Sequence, residues 1–256
     1  MKIKEITDYI ERAAPLELAL SWDNVGLMLG SLEGETESVV FALDFTSEVL
    51  SACIETGAKL VITHHPFIFS PIKNISEDTP LGKLATEAIR NGITVCSYHT
   101  NLDFAEGGIN DTLIEMLDIV DFKKDESGEH SYGELFGEIT FEEFLEFVKF
   151  TLSAPAARAV IPRGKSAQDR VKTIAVSCGA FDGEYDWIKN VGADVLVTGE
   201  LKHHNAAELK ERGVFAISAG HFETEEPGLE RLAECVTTEF KIKTKIITEC
   251  NPFTDI

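Results

Sequence analysis

Basic residues are scarce: 23 Lys and Arg stand against 44 Asp and Glu, a formal net charge of −21. A chain so acidic has no general attraction for phosphate backbones or anionic lipid, which disfavours nucleic-acid and membrane-surface binding. Cysteine is thinly spread as well. Cys53, Cys96, Cys178, Cys235 and Cys250 are odd in number, far apart and never in a CxxC pair, so neither a disulfide framework nor a thiolate zinc knuckle is indicated. A reducing, cytoplasmic setting is expected. No apolar run approaches the ~18 residues of a membrane helix. The opening MKIKEITDYIERAAP is amphipathic, with Ile3, Ile6, Ile10 and Ala13 on one face, unlike a signal peptide with its uninterrupted apolar centre. A Walker-type phosphate loop and a basic cluster are also missing.

What is present is a chain of 256 residues, 44% hydrophobic, able to bury roughly 70–75% of its unfolded surface without a cofactor. One or two domains are expected. Strand-like runs and helical patterns alternate nearly throughout, which makes the chain α/β. Val39 to Leu43, Leu60 to Ile62 and Ile93 to Tyr98 read as buried strands. Helices are expected at Thr46 to Thr56, capped by Thr46, at Leu81 to Arg90 and at Ile109 to Leu117. The charged stretch Asp118 to His130 reads as the change to a second lobe, with His130 solvated and inert.

Beyond it, Tyr132 to Ile139 reads as a strand and Thr140 with Glu143 as a capping box. Phe141, Phe144, Leu145, Val148 and Leu152 repeat at helical spacing and are assigned to the core. Strands follow at Ala157 to Ile161 and Val171 to Ser177, after which Cys178 to Ala180 should bend into a helix through Trp187. Asp194 to Val197 and Val214 to Ser218 are the next strands, with a helix between them that His203 and His204 open and Gly213 closes. A helix from Glu225 to Phe240, with Thr224 as N-cap and Pro227 in its first turn, and a strand from Lys241 to Thr248 complete the reading.

The chemistry gathers at strand ends. His64/His65, Asp103, His203/His204 and His221/Glu225 follow four different strands on the carboxyl side, and His99 makes six of the seven histidines placed so. That is where ligands bind in open α/β sheets. Taken alone, the His64–His65 pair is either a polar strand terminus or half of a metal site. The recurrence favours a metal site, and imidazole with carboxylate and no thiolate suits zinc, iron, manganese or nickel. More than four good ligands also suggests two ions, since a carboxylate can bridge a pair about 3.5–4 Å apart. The aromatics of FIFSPIKNISEDTP suggest a pocket wall, a subunit contact or a simple hydrophobic anchor.

WDNVGLMLG (Trp22 to Gly30), THHPFIF (Thr63 to Phe69), SYHTNLD (Ser97 to Asp103), GGINDTL (Gly107 to Leu113), VLVTGELKHH (Val195 to His204) and AGHFETEEPG (Ala219 to Gly228) together resemble the NIF-three-like family. Its members are labelled GTP cyclohydrolase I type-two homologues or dinuclear metal-centre proteins. The resemblance implies a two-lobed α/β fold of mixed sheets flanked by helices, with residues 1–125 and 219–256 forming a metal-binding lobe and 126–218 a second lobe. It further implies two divalent ions per chain on His64, His65, Asp103, His221 and Glu225, and a homohexameric ring. His99 would transfer protons, while His203 and His204 would support the ligands or touch substrate. The activity implied is that of a metal-dependent hydrolase acting on a small molecule through a metal-activated water. A phosphoesterase, or a metal-storing or regulatory scaffold without turnover, uses the same ligands and is the alternative.

Overall fold

The computed structural model describes residues 1–248. In chain order the helices are α1 (Ile3–Ala13), α2 (Ser47–Thr56), α3 (Pro80–Arg90), α4 (Thr100–Phe104), α5 (Ile109–Met116), α6 (Phe141–Thr151), α7 (Asp186–Asn190), α8 (His203–Arg212) and α9 (His221–Phe240). The strands are β1 (Gly26–Leu29), β2 (Ser38–Ala42), β3 (Leu60–Thr63), β4 (Thr94–Ser97), β5 (Ile119–Lys124), β6 (Ser131–Thr140), β7 (Arg158–Val160), β8 (Arg170–Ala180), β9 (Val195–Glu200), β10 (Phe215–Ser218) and β11 (Lys243–Ile247). The chain forms two compact units, one from Met1–Gly108 with the chain from Leu229 onward, the other from Ile109–Gly228. Both are α/β with mixed sheets.

The first unit holds a five-stranded sheet in the order β1-β4-β3-β2-β11, in which only β1 runs antiparallel. The inner strands are apolar on both faces, as parallel strands covered by helices must be. Val40, Val61 and Val95 share a register position and pack with Val49 and Cys53 of α2, while the alternate residues Val39, Phe41 and Ile62 are equally buried. The helices are stopped and started as the sequence expects. Thr46 Oγ1 accepts from Val49 N at 3.3 Å, and Gly57 leaves α2 with φ 73. In α1, Ile3, Ile6 and Ile10 are buried, but Ala13 is exposed and Ala14 takes the buried place. Either residue continues the stripe after Ile10, and the chain leaves the helix between them.

The second unit holds a six-stranded sheet, β5-β6-β8-β9-β10-β7, parallel only across β8, β9 and β10. Its two faces separate by the two-residue period of a strand. Ile174, Val176, Val195, Val197, Phe215 and Ile217 pack with Phe141, Phe144 and Val148 of α6. Ala175, Leu196 and Ala216 face the other way, onto Phe181, Trp187, Ile188 and Leu209. The capping box that opens α6 is present: Glu143 N donates to Thr140 Oγ1 at 3.2 Å, and Thr140 N donates to Glu143 Oε2 at 2.8 Å.

Several expectations are corrected here. Asp118 to His130 is not mere solvated turn: it contains β5, which pairs with β6. His130 is buried, its Nδ1 3.3 Å from Asp125 and its ring stacked on Trp187 at 4.1 Å. The polar residues of β5 hid a strand that is half exposed. The bend expected at Cys178 comes later, because β8 continues to Ala180 and α7 starts at Asp186. Helix α9 begins at His221, so Thr224 is not its cap and Pro227 lies inside it. The unit boundary falls at Gly108/Ile109 because Leu113 and Ile114 of α5 join the core of the second unit. No helix among the described residues is long and apolar enough to cross a membrane.

Candidate metal centre

In the first unit β3 delivers Thr63 to the sheet edge, and the next two residues keep pairing with the chain after β2: His64 N and His65 N donate to the carbonyls of Ala42 and Leu43 at 3.2 and 2.9 Å. The backbone that carries both imidazoles is therefore as fixed as a strand. Thr63 Oγ1 lies 2.8 Å from Ser97 Oγ, joining the ends of β3 and β4. Tyr98 and His99 follow β4, and Asp103 sits in the single turn and a half of α4, its N–H on the His99 carbonyl at 3.0 Å.

Three imidazoles gather there. One ring nitrogen from each of His64, His65 and His99 lies within 4.8 Å of the others, and the ring centroids are 5.1 to 5.8 Å apart. Each ring is held through Nδ1: His64 on the Tyr98 carbonyl, His65 on Asp44 Oδ1 and His99 on Asp23 Oδ1, all at 3.0 Å. An N–H aimed at a carbonyl or carboxylate fixes the tautomer and leaves the lone pair on Nε2, the arrangement that metal-binding histidines adopt. The completely buried His64 then directs Nε2 towards Asp103 Oδ1 at 3.5 Å. A lone pair facing a carboxylate calls for a cation between them, a proton or a metal ion, so the residues fit a divalent metal.

Asp23 is the best-defined electrostatic element. Burial raises its carboxyl pKa, but hydrogen bonds from His99 and from the Thr100 hydroxyl and backbone outweigh this and hold it at about 2. Trp22 and Phe69, both 56% exposed, stand over His99 with ring centroids at 6.1 and 6.2 Å. The thiols of Cys53 and Cys96 are pushed up by burial to about 12, which keeps them protonated and inert.

In the second unit, β10 ends at Ser218, and Gly220, with φ 115, turns the chain into α9. His221 and Glu225 are one helical turn apart and so share a face: His221 Nε2 lies 3.1 Å from Glu225 Oε1, and Nδ1 lies 3.5 Å from Glu200 Oε1 at the end of β9. Glu225 is 3% exposed. It fits because Gly179, φ 58, has no side chain; a Cβ there would stand 2.3 Å from Glu225 Oε1. His203 and His204 open α8 as expected, exposed, with neither ring in a hydrogen bond or ion pair among the described residues.

Sequence reasoning did not single out Asp44, Asp23, Glu200 or Gly179. Asp44 and Glu200 had a usable signal, since each is a carboxylate at or just past the carboxyl end of a strand, as the candidate ligands are. Asp23 offers no such signal, because it precedes β1 and lies 76 positions from the ring it holds.

An α/β protein whose strand ends present anchored histidines and carboxylates is, as a class, a candidate metalloprotein. The chain belongs to the family described as Duf34/NIF3 (NGG1p interacting factor 3), whose model matches residues 1–252. A Clostridium perfringens protein named GTP cyclohydrolase 1 type 2 homolog is 35% identical, over 92% of this chain and 91% of its own. Among solved structures, the Staphylococcus aureus hypothetical protein SA1388 superposes with a TM-score of 0.90 at 27% identity, covering 100% of this chain and 99% of that one. Reduced HcgD from Methanocaldococcus jannaschii gives 0.83 at 31% identity, covering 96% and 97%.

Proposed function

We propose that this protein is a metal-dependent hydrolase binding two divalent ions, with His64, His65, Asp103, His221 and Glu225 as donors. The observation that supports it most is the anchoring of His64, His65 and His99 through Nδ1 to a carbonyl and two carboxylates, which presets ring orientation at a cost a merely polar strand end would not repay. Bound divalent ions lower the pKa of a coordinated water towards neutrality and polarise the electrophile. His99, oriented by Asp23, stands within reach of the other two imidazoles and is assigned proton transfer. The relatives' name makes a guanine nucleotide the first substrate to test. A ring of six chains belongs to the same proposal.

The test is a metal analysis of the purified protein, followed by turnover assays on the loaded form with GTP and a panel of phosphodiesters. About two ions per chain with formate release supports the cyclohydrolase reaction, and phosphate or alcohol release moves the protein to phosphoesterase. Two ions without turnover on either would mean a metal-handling scaffold. Less than one ion under every loading condition would refute the site.

A further inference from the structure

A cavity of about 260 Å³ lies in the second unit, between the edge strand β7, the end of β10 and the start of α8. Its walls are Arg158, Ala159, Val160, Leu201, His203 and Ser218. It is slightly smaller than the ~300 Å³ at which sites for whole ligands begin, so it suits one end of a substrate. Among the described residues no carboxylate lines it, although carboxylates outnumber cations almost two to one along the chain. Its charged wall is the Arg158 guanidinium, which makes no ion pair and no hydrogen bond among the described residues, and the His203 imidazole is equally unengaged. Arg90, Arg163 and Arg212, by contrast, are each held by carboxylates: Arg90 by Glu77 and Glu87, Arg163 by Glu211, Arg212 by Glu208 and Asp186.

The place of the cavity in the fold also matters. Arg158 pairs with Ser218 across β7 and β10, and the chain runs from Ser218 to His221 by way of Ala219 and Gly220. Leu201 directly follows Glu200, which lies 3.5 Å from His221 Nδ1. The two strand ends that line the cavity are thus those that lead to Glu200 and to His221.

We propose that this cavity is an oxyanion subsite in which Arg158, with His203, receives the phosphoryl or carboxylate end of a small-molecule ligand. An arginine fork matches the two oxygens of either group and binds them by charge-assisted hydrogen bonds. Val160 and Leu201, both half-buried, supply an apolar wall beside the guanidinium, where an ion pair is less weakened by solvent than on an open surface. Its use as a substrate subsite rests on the hydrolase reading above; the binding of an oxyanion does not.

The experiment titrates inorganic phosphate and, separately, acetate into the full chain by calorimetry at low ionic strength, for the wild type, Arg158→Ala, Arg158→Lys and His65→Ala, with metal content measured on each. Saturable binding is expected, weakened roughly tenfold or more in Arg158→Ala, partly restored in Arg158→Lys and unchanged in His65→Ala. Tighter binding of phosphate than acetate identifies the phosphoryl end, and the reverse order the carboxylate end. Absence of saturable binding of both anions by the wild type overturns the proposal. So does binding that survives Arg158→Ala and is lost in His65→Ala, because the anion would then sit on the metal. Binding that follows Arg158 in a protein that takes up no metal would leave this subsite standing and remove the hydrolase reading.

Discussion

Asp23 Oδ1 lies 3.0 Å from His99 Nδ1, across 76 positions of sequence, and Asp23 Oδ2 takes both the N–H and the hydroxyl of Thr100. One carboxylate thereby holds a ring at the candidate centre and the first residue of α4. Its folded pKa, about 2, is below the ordinary 3.8, so its contribution to stability is fully present above pH 4 and is lost as pH falls through 2. Asp23→Asn should therefore cost on the order of 1–2 kcal/mol near neutrality, and the difference from wild type should shrink as pH falls from 4 to 2. Urea unfolding of metal-free protein at stepped pH checks this; a difference independent of pH would mean that the carboxylate charge is not what matters.

Asp44 holds His65 in the same way, but from a half-exposed position. Removing it should leave the core intact, since Asp44 lies beyond the last residue of β2. Asp44→Ala is expected to weaken metal binding by roughly 10–100-fold, the usual cost of losing the partner that orients a ligating imidazole. Competition with a chelator of known affinity measures it, and circular dichroism shows whether the fold is kept. Unaltered affinity would mean that His65 is oriented by something other than Asp44.

A prediction remote from the site concerns α6. Thr140→Ala removes the acceptor for Glu143 N and one arm of the capping box, with an expected cost of about 1 kcal/mol. Thermal unfolding should show a lower midpoint, while metal content stays at the wild-type value. Loss of metal in this variant would tie α6 to the site, against its packing in the core of the second unit.

Local chemistry made much of this fold legible. Thr46, Gly57, Thr140 and Gly213 act at helix ends within a few residues of their own position, and runs such as Val39 to Leu43 declare burial by composition alone. The candidate histidines were legible for a related reason: they sit at the ends of such runs. What could not be read locally was partnership. Nothing near Asp23 in sequence points to His99, and β5 is a strand because β6 lies beside it, not because its own residues are apolar. The start of α9 was misplaced because Thr224 resembles a cap. In the structure its hydroxyl serves the helix interior, donating to the Gly220 carbonyl at 2.9 Å, and receives Gly179 N–H at 3.2 Å.

That last contact gives the sharpest test of the second unit. Gly179 combines two demands: a φ of 58, which favours glycine, and a missing side chain whose place Glu225 Oε1 occupies. Gly179→Ala meets both, so the strained backbone should cost on the order of 1–3 kcal/mol, and the Glu225 carboxylate must move off His221 to make room. Metal affinity should fall with stability. The two effects separate in Glu225→Ala, which strips metal by removing the donor but leaves the Gly179 backbone unstrained, and in the double variant. If the Gly179→Ala defect in metal affinity acts through Glu225, adding Glu225→Ala to it should reduce affinity no further than Glu225→Ala alone. Fully additive losses would show that Gly179 influences the metal by another route, and that the fit between this glycine and Glu225 is incidental to binding.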